Sequence, residues 1–530
     1  MLFTSYSFMI FVAVTFCLYY VCPKKWQWAI LLGASYFFYF MAGRTYLIYI
    51  LVTTVSTYLA ARQMDARKER AEQAYALQKD SLDKEGRKAL KAKQKKGITR
   101  VFLACLILNI GILAVVKYTN FMIANINGIA KAFGGDGTLS FVDLVLPMGI
   151  SFYTFQSVAY LIDVYHGKYP AQKHLGKFAL FVAFFPQLVQ GPISRYNELS
   201  ESLFALHSFD KQNIAYGLER ILWGYFKKMV IADRMLVAVK VLIAEPETYY
   251  GSFAFVGMLF YALELYADFT GGIDITIGVA QLFGVKVAEN FRRPYFSKNI
   301  KEYWKRWHIS MGTWFTDYIF YPVSVSKPFR KLNKFAREHF GDHVGKRLPV
   351  YLSSFVVWLL TGIWHGASWN FIAWGLGNYV VIMISEELEP LYHRFHKRFH
   401  VAGTLPWKLF QVIRTVLIMS CLRMFDCYRD VPLTFQMFGS MFARPNLSAL
   451  TGEAFLGLGL GVTDYIILAA GALVLFAVSM IQRAGSVRTK IASCSFPVRM
   501  VIWWGLFFIV LLFGAYSIGY NESQFIYNQF

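Results

Sequence analysis

Two histidines set in apolar surroundings are the side chains of this 530-residue chain best suited to move a proton. His365 lies in Thr361-Gly362-Ile363-Trp364-His365-Gly366, where the glycines permit close backbone approach or a broken helix. A neutral imidazole, with an ordinary pKa of about 6.5, can take a proton from a hydroxyl and return it. The same spacing also fits a histidine that hydrogen-bonds a carbonyl and locks two helices together. His308 is the second candidate. Ile300, Tyr303, Trp304, Trp307, Met311, Trp314, Phe315 and Tyr318 recur at helical spacing, with Lys301, Lys305 and Arg306 largely off that stripe. The pattern predicts a basic amphipathic helix over 297–322, lying in or dipping through an interface, with His308 at the edge of its stripe. An interfacial histidine with an apolar body and a wet tip is the competing reading.

Buried carboxylates form a third group. Glu264, Asp268 and Asp274 follow a long apolar run. They could line a cavity or orient a histidine, but structural pairing with Arg292, Arg293 or Arg306 is the simpler role. Arg423 and Asp426 present the same choice. His393, His396 and His400 share a helix face, yet Arg394, Lys397 and Arg398 among them point to an interfacial basic helix rather than a metal site. No metal site is expected. Walker A, G-x-S-x-G and H-E-x-x-H patterns are absent, so ATP-driven transport, serine-triad hydrolysis and zincin chemistry lose support.

The elements that must hold these residues are membrane helices. The chain is 56% hydrophobic and 16% charged, against about 25% charged in a soluble domain. Its net charge of +22 falls mostly in short stretches between apolar segments, which points to cytoplasmic loops and membrane lipid rather than nucleic acid. Apolar segments from 5–21 to 499–521 predict an all-α polytopic membrane protein with 11–13 spans in a single domain over 1–530. The six cysteines suggest no disulfide framework. No basic n-region precedes the first segment, which is expected to persist as a helix. Residues 61–100 carry 13 Lys or Arg and six Asp or Glu and predict a cytoplasmic basic helical insert. Basic stretches at 327–347 and 393–414 should share that side. Between them the chain must enter the membrane and return, so 349–385 reads as a helix–turn–helix that carries His365 to depth at its reversal.

Several ordered motifs resemble the membrane-bound O-acyltransferase family. They are Leu263–Pro294 (LELYADFTGGIDITIGVAQLFGVKVAENFRRP), Tyr303–Ser310 (YWKRWHIS) and Gly362–Ala367 (GIWHGA), with Leu146–Tyr165 and Phe184–Tyr196 upstream. Within the family the chain is most similar to the alginate O-acetyltransferase branch, with the teichoic acid D-alanyl transferase as a near relative. The resemblance implies helices ringed around a thin central channel, with interfacial and re-entrant helices. It also implies acyl transfer to a hydroxyl, with His365 as the essential histidine and His308 as the family's second one. The residues expected to meet substrate are Arg292, Arg293, Trp304, Arg306, Trp364 and Asp268. No bound cofactor is implied. The co-substrate would be an acyl thioester, acetyl-CoA or an acyl carrier protein, and relatives on this branch pass the acyl group towards an extracytoplasmic polysaccharide. They commonly work with a separate exported acyltransferase, so such a partner and a bacterial plasma (inner) membrane location are expected. Thr270-Gly271-Gly272 replaces the branch's usual small-Gly-aromatic turn, and the region around Arg423–Asp426 matches loosely. A transporter or flippase of an envelope polymer or lipid precursor would explain the spans and buried carboxylates equally well, but does not require both histidines in these motifs.

Overall fold

The structure, a computed structural model, describes residues 3–78, 81–137 and 139–516. Among them the regular structure is helical throughout, with no strand. In hydrocarbon, backbone N–H and C=O groups can be satisfied only within the segment or by a closed barrel, and these apolar runs take the first solution. Among the described residues six helices are long and apolar enough to cross a membrane, up to seven if one bent pair is counted as a span, so the chain is a polytopic membrane protein. Other expected spans form shorter helices. Tyr6–Val21 (α1) and Gln27–Ala42 (α2) have 16 residues each, about 24 Å of helix. The chain groups into two compact units, Met1–Ile214 with Val279–Ala288, and Ala215–Gly278 with Glu289–Phe530.

In the first unit Tyr46–Gln78 (α3) and Lys84–Ala132 (α4) contain the basic insert. At 49 residues α4 is about 73 Å long, more than twice the hydrocarbon thickness of about 30 Å, so its charged N-terminal part must stand outside the bilayer. Asp83 caps it by accepting from the Gly86 amide at 2.7 Å. Arg67 donates to the Gly97 carbonyl at 2.7 Å and Lys91 lies 4.2 Å over the Tyr75 ring, which ties the two halves of 61–100 into a helical hairpin. Ile150–His166 (α5) is buried along nearly all its length, as an all-round apolar helix should be. It starts at Gly149, whose left-handed φ of 72° places a would-be Cβ 2.2 Å from the Leu188 carbonyl oxygen. Only glycine fits there.

The second unit is organised around Lys211–Tyr225 (α6) and Ser252–Leu282 (α7). Gly224 meets the backbone of Gly271, and Gly278 meets that of Gly217. The seven-residue spacing on both helices brings their backbones together at two points. Immediately after α6, Phe226–Ala232 adopts a wider π-helical turn that buries two successive lysines. Lys227 reaches Asp274 at 2.5 Å and Thr270 Oγ1 at 2.7 Å, while Lys228 reaches Asp268 at 2.5 Å and Asp233 at 2.9 Å.

The stretch expected as one amphipathic helix is broken. Ile300–Trp304 (α8) and Ile309–Phe315 (α9) flank a turn in which His308 takes a left-handed φ of 47°. The break holds because another strand of chain binds across it: the Ile309 amide donates to the Asn290 carbonyl and the Arg292 amide to the Arg306 carbonyl, at 3.0 and 2.9 Å. The helix–turn–helix at 349–385 is present, but its first arm begins earlier. Lys327–His365 (α10), kinked at Gly341, is followed by Trp369–Glu387 (α11). Leu405–Tyr428 (α12), Val431–Ala443 (α13), Val462–Ile481 (α14) and Phe496–Phe513 (α15) complete the unit.

Candidate active site

His365 is the last residue of α10, and three glycines determine where it points. A Cβ on Gly362 would fall 2.6 Å from the Phe371 carbonyl oxygen, and one on Gly375 would fall 2.5 Å from that of Trp358. One on Gly366 would fall 2.2 Å from the Phe371 ring. Helices α10 and α11 therefore touch backbone to backbone just below the turn. The imidazole, 8% exposed, is held edge-on to Trp374 at 4.5 Å and Trp364 at 5.0 Å, and parallel to Phe371 at 6.3 Å.

His308 is 1% exposed and packs edge-on to Phe269 at 5.0 Å and Trp364 at 6.2 Å. Both histidines thus contact the same indole. Asn290 fixes the His308 ring. Its Oδ1 accepts from the Ser310 amide at 2.9 Å and hydroxyl at 3.0 Å, so its Nδ2 is the group that donates to His308 Nδ1 at 3.2 Å. The same Oδ1 lies 3.4 Å from His308 Nδ1; with its lone pairs taken by Ser310, we assign the ring hydrogen to Nε2. Burial, helped by the Arg423 charge, pushes the His308 pKa down to about 3 and keeps the imidazole neutral. Sequence reasoning missed Asn290, although it lies inside the quoted Leu263–Pro294 motif as a polar residue beside the basic pair.

Arg423 occupies an aromatic box behind the histidines. Its guanidinium lies 5.0 Å from Trp307, 5.0 Å from Trp374 and 5.9 Å from Trp304. It also hydrogen-bonds Tyr303 and has Asp426 at 3.9 Å. Trp374 carries this contact on to His365. Trp304 is anchored by its indole N–H to Asn378 Oδ1 at 3.2 Å.

The basic residues expected to meet substrate line one cavity of about 1020 Å³. Arg292, Arg293, Lys305 and Arg306 line it together with Arg483 and Arg488, which the sequence did not single out. Its apolar lining comes from α14 and α15, with Val474, Val478, Ile502 and Leu506. Arg220 and Lys227 also reach the cavity, but both are tied to Asp274, and Arg220 to Glu289 as well. Neither histidine lines it.

The remaining candidates separate from this group. Asp268 is 1% exposed and engaged by Lys228, which favours the pairing role. Its partner is a lysine inside an apolar segment rather than the arginines considered from sequence. Glu264 is buried one turn away, and its Oε2 meets no hydrogen-bond partner among the described residues. His393 and His396 lie on the helix Glu389–Phe399, with His400 as its left-handed cap. His393 faces Glu389 at 3.7 Å, and His396 meets the Trp407 ring at 5.2 Å.

Comparison with known proteins places this geometry. The model of MBOAT, the membrane-bound O-acyltransferase family, matches residues 171–427, which contain both histidines, Asn290 and Arg423. The chain is 33% identical over 377 residues to the "Probable alginate O-acetylase AlgI" of Azotobacter vinelandii, covering 71% of this chain and 66% of that protein. It is 31% identical over 475 residues to the protein of that name from Pseudomonas aeruginosa, covering 88% and 81%. A "Peptidoglycan O-acetyltransferase" of Helicobacter pylori is 31% identical over 328 residues, covering 57% and 58%. With matches of this extent spanning the histidine turn, the buried His308 and the aromatic box around Arg423, the chain belongs to the membrane-bound O-acyltransferase family and is an O-acyltransferase.

Proposed function

We propose that this protein moves an acyl group, acetyl in the first instance, from a cytoplasmic thioester to a hydroxyl on an extracytoplasmic polysaccharide, or to an exported partner protein that acylates it. Acetyl-CoA or an acyl carrier protein supplies the thioester, and the protein works in the bacterial inner membrane. The observation that carries this reading is the contact of two buried histidines with the same residue, Trp364. Their surroundings suit different tasks. His308, neutral and with its hydrogen on Nε2, can donate to the thioester carbonyl oxygen as negative charge develops there. His365 takes the proton of the acceptor hydroxyl as its oxygen attacks the carbonyl carbon. The tetrahedral adduct collapses, the carbon–sulfur bond breaks, and the proton passes from His365 to the departing sulfur. The products are an ester and a free thiol. The dry aromatic surroundings suppress hydrolysis of the donor. Arg292, Arg293, Lys305, Arg306, Arg483 and Arg488 supply the charge that would attract the phosphates of a carrier arm.

The test is alkali-releasable acetate on envelope and secreted glycans from the native host, comparing wild type with His365→Ala at equal membrane levels. Loss of ester from one polymer is expected and identifies the final acceptor. Wild-type ester on every fraction would overturn the proposal, and a failure of purified protein to consume a thioester would favour a transporter.

A further inference from the structure

One carboxylate of the basic cavity stands outside its ion pairs. Glu219, Asp274 and Glu289 line the cavity among its cations. Asp274 is held by Arg220 at 2.7 Å and Lys227 at 2.5 Å, and Glu289 by Arg220. Glu219 enters no ion pair among the described residues, and its buried Oε2 meets no hydrogen-bond partner there. It sits on α6, which is not one of the helices long and apolar enough to cross a membrane. Tyr216, Glu219, Arg220 and Trp223 recur at the spacing of one helix face, and the last three line the cavity. The cations that act most on Glu219 are Arg488 and Arg499. Arg488 is committed elsewhere, donating to the Tyr216 carbonyl at 2.8 Å and lying 5.4 Å over the Tyr216 ring. Arg499, from α15, lies 5.8 Å over the Phe496 ring. Burial outweighs both charges and raises the Glu219 pKa to about 7. The other groups that share the cavity are Arg292 and Arg293 before α8, Lys305 and Arg306 after it, Arg483 after α14, and Tyr266 from α7. None of the described lining residues is a histidine. Arginine, lysine and tyrosine ordinarily titrate far above neutrality, which leaves Glu219 as the residue whose charge changes near neutral pH.

We propose that the basic cavity takes up its phosphate-bearing ligand together with one proton, held by Glu219, an inference that rests on the thioester-donor reading above. An ionised Glu219 sets a negative charge beside the incoming phosphate and weakens its binding. Protonated, the same carboxyl donates its O–H to a phosphate oxygen, and a hydrogen bond to an ionised acceptor is of the stronger kind. It also engages a side chain that the protein itself leaves unpartnered. The proton comes from bulk water and returns there when the ligand leaves, so no covalent bond to carbon, sulfur or phosphorus changes. The sign follows from the charges. A phosphate next to the carboxyl favours the neutral acid, so the Glu219 pKa rises further in the complex. Coupling between two ligands is reciprocal, so affinity for the phosphate is greatest where Glu219 is already protonated and falls as the pH rises through neutrality. Glu219 thereby sets how tightly six cations hold their anion, without itself touching the reacting carbonyl.

The full chain in lipid nanodiscs is titrated calorimetrically with dephospho-coenzyme A, whose diphosphate diester has no proton that titrates near neutral pH. Buffers of different ionisation enthalpy read the proton uptake directly. Wild type should bind about ten-fold more tightly at a pH of about 6.5 than at about 8.5, and should take up most of one proton near pH 8. Glu219→Gln keeps a neutral donor, so at the higher pH it should bind as tightly as wild type does at the lower, with no uptake. Glu219→Ala should also lose the pH dependence. Wild-type binding that takes up no proton and does not vary with pH overturns the coupling and leaves the donor reading intact. Weaker binding by Glu219→Gln at both pH values overturns it too and makes ionised Glu219 a positioning partner of Arg488. Absence of binding by wild type at both pH values removes the phosphate role of the cavity and the coupling together. The expected proton uptake in a protein that transfers no acyl group from a thioester would sink the donor reading and leave the coupling standing.

Discussion

Gly362→Ala isolates the geometric argument for His365 without touching any ionisable group. The new Cβ would meet the Phe371 carbonyl oxygen at 2.6 Å, the Ile372 Cα at 3.1 Å and the Phe371 carbonyl carbon at 3.2 Å. All three are backbone atoms, so no side chain can rotate away. Restoring ordinary contact of roughly 3.4 Å to the oxygen requires α10 and α11 to separate by about 0.8 Å, and overpacking of this kind costs about 1–3 kcal/mol. His365 lies less than one turn further along the same helix. Displacements near 1 Å in a reacting group lower rates by about 100-fold. The expected result is a kcat lowered about 10- to 100-fold, an unchanged KM for the thioester, and a Tm in detergent lowered by a few degrees. Gly439→Ala, where a Cβ meets nothing within 4 Å, is the control and should behave as wild type. Thioester consumption by purified protein supplies kcat and KM, and fluorescence-detected unfolding supplies Tm. A Gly362→Ala enzyme that turns over at the wild-type rate would refute the claim that the helix contact positions the imidazole.

Lys228→Met leaves Asp268 buried without its nearest cation, so stability should fall by about 3–5 kcal/mol; Asp268→Asn in the same chain should recover part of the lost Tm. Arg488→Glu in the basic cavity should raise the KM for the thioester several-fold and leave kcat near wild type. That effect should shrink with added salt, since screening weakens a charge at the mouth of a cavity. His308 supplies the pH test. Its folded pKa of about 3 lies below the ordinary value of about 6.5. Between these values the unfolded chain holds a proton that the folded one does not, so stability is full above about pH 6.5. It should decline as pH falls towards 3, with a slope near 1.4 kcal/mol per pH unit for one proton. His308→Gln should flatten that slope in Tm against pH, and an unchanged slope would contradict a neutral buried ring.

Much of this protein is legible in its sequence. Apolar runs of membrane length demand helices because hydrocarbon offers the backbone no other partner. The Lys-, Glu- and Ala-rich stretch 61–100 reads as helical and forms the helical hairpin between α3 and α4. The glycines around His365 signal close approach, and the short distance between α10 and α11 is where they are used. The adjacent arginines at 292, 293 and 306 announce a cationic surface, and they line one cavity.

Other features depend on contacts that no local pattern records. Periodicity across 297–322 predicts a continuous helix, but Asn290 and Arg292 bind the backbone on the two sides of His308, which takes a left-handed conformation there. Lys227 and Lys228 look like a charge pair interrupting a span. The π turn sends them to carboxylates six residues apart on α7, so Asp268 and Asp274 are paired from a direction the sequence does not indicate. Arg488 reaches the basic cavity, and donates to the Tyr216 carbonyl at 2.8 Å, from 272 positions along the chain. Hydrophobicity and backbone hydrogen bonding act locally and can be read residue by residue, so the sequence alone determined the helices, the membrane and the candidate side chains. Which buried charges meet, which ring is held in which tautomer, and which surfaces close into a cavity are set by packing between distant segments, and only the tertiary structure decided them.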